Sequence, residues 1–143
     1  MRLEQMVLGP LDVNTYIISA DGSSDVVVID PGKAKPVVAY LEAQSLNCTH
    51  ILITHGHFDH IGGVEEVRAA TGAEVYIHES DAPMLKSPAA SLHSTMSIYP
   101  FKEVTDYTVV TGDCYINDGD CTFRIFHTPG HSHGSVCYIC DDV

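Results

Sequence analysis

Apolar positions along this chain fall into two patterns, short unbroken runs and stripes at helical spacing. Residues 6–32, "MVLGPLDVNTYIISADGSSDVVVIDPG", read as strands separated by the turn "ADGSSD". The uniformly apolar "VVVI" predicts a strand covered on both faces. It stops at the turn signal Asp30-Pro31-Gly32. Over 35–44 the spacing becomes helical, with Pro36 near the start and Val37, Val38, Tyr40 and Leu41 on one face. "HILIT", 50–54, predicts a buried strand. Behind Gly62-Gly63, Val64, Val67 and Ala70 recur at helical intervals after Glu65 and Glu66, and Gly72 is placed as a stop. "AEVYIH", 73–78, is again a strand, 79–86 reads as a short helix, and 87–100 has no period and reads as a loop free to move. The last third holds strands broken by "NDGD" and "TPGH". Strands alternating with helices and followed by further strands predict one α/β layered domain over 1–143, in which ligands gather at loops leaving strand ends.

Composition narrows what such a domain can do. The 143 residues are 45% apolar and 18% charged, as in ordinary folded proteins. With only seven Lys and Arg against a formal charge of −12, no basic patch exists to meet phosphates, so nucleic acid is excluded as a partner. No window approaches the ~18 consecutive apolar residues of a membrane span, leaving a small-molecule partner. The first residues show no secretory pattern, and five cysteines make an odd set without disulfide-type spacing, so a reducing, cytoplasmic setting is expected. "CYIC" has the spacing of a redox or zinc motif, but in a strand positions three apart face opposite ways, and Cys137 and Cys140 read as buried strand cysteines. Nine unevenly spread histidines point to a metal site.

The densest stretch is "ITHGHFDHIGG", residues 53–63. Imidazole and carboxylate are ligands for zinc and other first-row divalent ions. His55, His57 and Asp59 are two apart and share one side of an extended chain, whereas His60 faces away unless the chain bends, which Gly56 permits. With that bend the segment serves two neighbouring ions. One loop cannot close a coordination shell, and "HTPGHSHGS" supplies a partner: Thr128-Pro129-Gly130 suits a tight turn, with Gly130 accepting a positive φ, that presents His131. His133 reads as an exposed turn residue, and His50, His78, His93 and His127 as structural.

"THGHFDH" at 54–60, the following Gly62-Gly63 and "TPGHSHGS", together with "NTYII", "VVVIDPG" and "VYIHESD", resemble the metallo-β-lactamase superfamily and, within it, the glyoxalase II-like (hydroxyacylglutathione hydrolase-like) hydrolases. The resemblance implies an αββα sandwich of which this chain supplies the N-terminal two-thirds or so. It implies that His55, His57 and His131 hold one ion, Asp59 and His60 a second, and that Asp30 supports the ligands from behind. The implied cofactor is Zn2+, two per full site, with iron or manganese as alternatives. The implied reaction is attack of a metal-bound hydroxide, oriented by Asp59 as catalytic residue, on the carbonyl of a hydroxyacylglutathione-type thioester. An iron-dependent persulfide dioxygenase and a metal-binding domain without turnover are the alternatives. A flavodiiron oxidoreductase would carry glutamate where His57 stands. The family's bridging aspartate, in a "GDTLF"-like stretch, and its final histidine have no counterpart before Val143, so the chain is expected to be incomplete at its C-terminus. Asp113 in "TGDCY" precedes His131 and is rejected as that bridging ligand.

Overall fold

The computed structural model describes residues 1–118 and 121–140. Strands β1 (Arg2–Leu8) and β2 (Val13–Ser19) form an antiparallel hairpin, and β2 pairs antiparallel with β3 (Asp25–Ile29). The chain then crosses over through α1 (Ala34–Ala43) to β4 (Asn47–Leu52), and through α2 (Phe58–Ile61) and α3 (Val64–Thr71) to β5 (Glu74–His78). A 3-10 turn (Ala82–Leu85) and α4 (His93–Met96) lead to β6 (Thr108–Val110), so β3 to β6 run parallel in a six-stranded sheet of order β1-β2-β3-β4-β5-β6. A second, antiparallel sheet has the order β7 (Cys114–Asn117), β8 (Thr122–His127), β9 (Val136–Cys140).

Two cores explain the apolar runs. On one face of the large sheet, Val37 and Leu41 of α1 and Val64 and Val67 of α3 pack on Val26, Val28, Ile51 and Ile77. On the other, Val27, Ile29 and Leu52 meet Ile116, Phe123, Ile125 and Val136 of the small sheet. Successive β3 residues therefore enter opposite cores, and each buried valine contributes roughly 1.5–3 kcal/mol. The layers are helix, sheet, sheet, as in the first three layers of the expected sandwich. No helix follows β6 among the described residues, and no described helix is long and apolar enough to cross a membrane.

Element boundaries depart from expectation in instructive ways. α1 begins one residue earlier than the apolar stripe, and Gly72 stops α3 as predicted, at φ 76°. The helix expected over 79–86 shrinks to the 3-10 turn, which carries Pro83 in its first turn. The segment 87–100 is not a free loop: Ser91 is fully buried, its carbonyl accepts the Phe58 N–H (2.9 Å), and α4 follows. One helical turn is too short to show a period. Cys140 is buried but Cys137 is exposed, because the alternation that separates them puts only one inside. Among the described residues no disulfide joins the cysteines.

The loops leaving β3, β4 and β5 lie at one end of the large sheet, and the 128–135 turn is tied there from the small sheet. The Val136 N–H donates to the Thr54 carbonyl (2.9 Å) and the Tyr138 hydroxyl to the Ile53 carbonyl (2.8 Å).

Candidate metal centre

Just after β3, Asp30 sits in the left-handed region at φ 49°, a conformation costly for most side chains but tolerated by aspartate. Its N–H is bound to the Leu52 carbonyl (3.1 Å), and its carbonyl accepts the Thr15 hydroxyl (2.6 Å). Held so, its carboxylate reaches across to β4 and accepts the Thr54 N–H (2.7 Å) and hydroxyl (2.5 Å). The chain leaving β4 is thereby fixed immediately before His55.

His57 caps α2 in an extended conformation, and the helical turn that follows swings His60 back toward His55, with ring centroids 4.1 Å apart. The bend is thus a turn of helix. Gly56 serves it through space, not through a positive φ: a Cβ there would lie 2.6 Å from the Met84 Cβ. Asp59 lies on this helical turn, so it does not continue the extended line of His55 and His57. Its Oδ2 stands 3.6 Å from His60 Nε2, while Asp30 Oδ2 holds His60 Nδ1 at 2.8 Å.

From the 128–135 turn, His131 meets the first loop. Gly130 does so without the expected positive φ, its N–H donating to the Ser132 carbonyl (3.0 Å). His57 Nδ1 and His131 Nε2 are 2.9 Å apart, and the three ring centroids of His55, His57 and His131 are separated by 4.6 to 4.7 Å. Each ring offers a nitrogen within 4.8 Å of the other two. Ligands on a tetrahedral ion with bonds of about 2.0–2.1 Å stand roughly 3.4 Å apart, a span these rings reach by small rotations. His55 Nε2 is buried with no hydrogen-bond partner, a defect a cation would remove. The residues therefore fit a divalent metal.

Protonation favours the same reading. Burial, then the neighbouring His60, His57 and His131, draw the His55 pKa down to about 4 despite Asp30. Burial and His131 lower that of His57. Both rings are neutral at pH 7, the form that binds metal. Burial also opposes charge on His60, but its hydrogen bond to Asp30 and the charges of Asp30 and Asp59 prevail and raise its pKa. Asp30, His55 and His60 form a second close group. Asp30 already accepts three hydrogen bonds, which makes it the group that orients His60 and leaves His60 Nε2 free of it; Asp59, 3.6 Å from that nitrogen, belongs to neither close group.

Sequence reasoning missed Asp81. Just beyond β5 and fully buried, it accepts the Gly56 N–H (2.9 Å) and Ser132 hydroxyl (2.6 Å) on Oδ2 and the Gly134 N–H (2.7 Å) on Oδ1. One carboxylate thus joins the His55–His57 loop to the His131 turn. The available signal was an acid directly after a buried strand, in "VYIHESD". The remaining histidines stay outside the cluster. His133 is exposed and its carbonyl faces His127 Nε2 (2.8 Å); His78 stacks on His127; His50 pairs with Asp118 (2.7 Å); His93 lies against Phe58 and Phe101. Asp113 accepts the His127 N–H (3.2 Å).

Residues 8–143 match the profile of the Metallo-beta-lactamase superfamily. The chain is 34% identical to the "Probable metallo-hydrolase YqgX" of Bacillus subtilis, covering 99% of this chain and 67% of that protein. It is 37% identical to a hydroxyacylglutathione hydrolase of Rhodospirillum rubrum, over 86% of this chain and 41% of the enzyme. Among solved structures, the BLEG-1 B3 metallo-β-lactamase superposes with a TM-score of 0.92 at 35% identity, over 99% of this chain and 68% of that one. The chain thus spans about two-fifths to two-thirds of the length of these proteins.

Proposed function

The chain belongs to the metallo-β-lactamase superfamily, and we propose that it is a metal-dependent hydrolase of thioesters of the hydroxyacylglutathione type. The observation that carries this reading is the meeting of three imidazoles from two distant loops around an unpartnered, buried His55 Nε2. In this proposal His55, His57 and His131 hold one divalent ion, and Asp59 with His60 Nε2 a second, zinc being the metal assigned. Such ions supply a water acidic enough to ionise near pH 7 and a Lewis acid for the carbonyl.

The chain's own groups do the rest. Asp30 occupies His60 Nδ1 and so keeps Nε2 directed at the site. Asp59, besides holding the second ion, would orient the attacking oxygen. Asp81 holds the two loops at a fixed separation. A thioester asks least of the site, because a thiol with a pKa near ~8.5 departs as thiolate without a proton from a general acid. Similarity to the Rhodospirillum rubrum hydroxyacylglutathione hydrolase supports the same substrate class.

The test is thiol release from S-lactoylglutathione by protein whose metal content has been measured. Turnover that disappears with chelation and returns with zinc is expected. Two bound ions without thiol release would refute the thioesterase reading. Oxygen consumption with a persulfide by iron-loaded protein, or hydrolysis of a β-lactam, would each put another activity in its place.

A further inference from the structure

A cleft lined at one end by Asp59, the neighbour of His60 in the chain, runs between the β1–β2 hairpin tip and the segment 93–102. Its inner part encloses about 60 Å³, walled by Leu8, Leu11, Phe58 and Phe101. Past Gly9, Lys33 and Tyr99 it opens into a trough of about 390 Å³, where Lys35 and Lys102 stand. Leu11 in the inner part and Tyr99 at its mouth are each about half exposed, the kind of apolar surface a ligand covers.

Charge is distributed unevenly. In a chain of net charge −12, three of the seven cationic side chains, Lys33, Lys35 and Lys102, line this one trough. Lys33 lays its stem on Gly9 and sets its ammonium 3.5 Å from the Tyr99 ring centroid. Among the described residues neither Lys33 nor Lys35 has a carboxylate within 4.0 Å, whereas Lys102 pairs with Glu66 at 2.8 Å. Nor does the fold need the first two: they flank the start of α1, where cations oppose the helix dipole and no side-chain cap forms. An apolar channel that starts beside Asp59 and ends at two lysines without a carboxylate partner matches an amphipathic anion.

We propose that this trough binds the part of the substrate remote from the scissile carbonyl, and that this part is an apolar body ending in a carboxylate, with Lys33 as its main contact. The inference rests on the hydrolase reading above for which end of the ligand reaches Asp59; the carboxylate is what it shares with a glutathione-type thiol, and the apolar wall before it is what it adds. Lys33 is a specificity residue, held in place by Gly9 and Tyr99.

The experiment uses a non-hydrolysable pair, 3-(benzylthio)propionate and its primary amide, titrated calorimetrically into the full chain at pH 7.5, with and without zinc. The parent protein should bind the acid roughly tenfold more tightly than the amide, a preference that shrinks with added salt. Lys33→Gln should reduce it to about threefold, and Lys33→Gln with Lys35→Gln should abolish it. Lys86→Gln, outside the trough, should leave it intact, with unchanged circular dichroism in every variant. Equal binding of acid and amide, no binding of either, or a preference that requires zinc and ignores Lys33 would overturn the proposal. A Lys33-dependent preference without thiol release would overturn only the thioesterase reading, and thiol release without the preference only this one.

Discussion

Replacing Asp81 with alanine takes one acceptor away from three donors. The Ser132 hydroxyl can turn to Ser135 Oγ, 2.8 Å away, and loses little. The Gly56 and Gly134 amides have no such recourse, and each buried N–H left unpaired costs about 1–3 kcal/mol. The expected destabilisation of Asp81→Ala is therefore roughly 2–6 kcal/mol, a large share of the ~5–15 kcal/mol that holds a domain together. Asp81→Asn is the sharper probe. With its oxygen kept toward Gly56 and Ser132, its NH2 must face the Gly134 N–H, donor against donor, at a cost of roughly 2 kcal/mol. Because the same carboxylate sets the distance between the two histidine loops, zinc affinity should fall about 10–100-fold in the Asn variant. Urea unfolding in EDTA, followed by far-ultraviolet circular dichroism, reads the first effect, and competitive zinc titration the second. An Asn variant within about 0.5 kcal/mol of the parent, binding zinc within twofold, would refute the assignment of Asp81 as the tie between the loops.

Other expectations follow from the same geometry. His55→Ala and His131→Ala should each abolish zinc retention in equilibrium dialysis; retention equal to the parent's would break the ligand assignment. In the parent, zinc at 100 times its Kd should stabilise the fold by about 2.7 kcal/mol, visible as a raised melting temperature. A Cβ on Gly63 would sit 2.5 to 2.6 Å from backbone atoms of Ala34, Lys33 and Pro31, so Gly63→Ala should cost roughly 3 kcal/mol, and an unchanged urea midpoint would contradict the crossing. Metal-free stability should depend on pH through His55. The unfolded ring takes up its proton below about pH 6.5 and the native ring only near 4, so stability falls as pH drops from 6.5 toward 4. His60, with its raised pKa, works in the opposite sense, adding stability at low pH that is lost as pH rises through that value. His55→Gln should flatten the acid-side fall, and parallel profiles for parent and variant would disprove the link.

Where burial has a period, the sequence disclosed it. The "VVVI" of β3 is apolar throughout because its faces serve two cores, and α3 is legible from its stripe, its early acids and Gly72. The cluster was legible because imidazoles at short spacing have few other uses. What stayed hidden were features decided by space and by distant partners. Gly56 and Gly130 suggest φ freedom, yet neither uses it, and only the neighbour against Gly56 explains that glycine. Asp81 looks like any acid after a strand until two loops close over it. Phe58 and Ser91 bind the segment 87–100 to the metal loop by one backbone contact that no side-chain pattern encodes.

His57 and His131 are 74 residues apart in the chain, on loops tied to different sheets. A site built on so long a separation arises late, once the large sheet has docked on the small one. During synthesis the first histidines emerge well before their partner, so they meet solvent ions only as a weak, incomplete chelate. Capture of metal is in this way deferred until the architecture is nearly assembled, and the rate of loading during refolding should track the slowest sheet-docking phase.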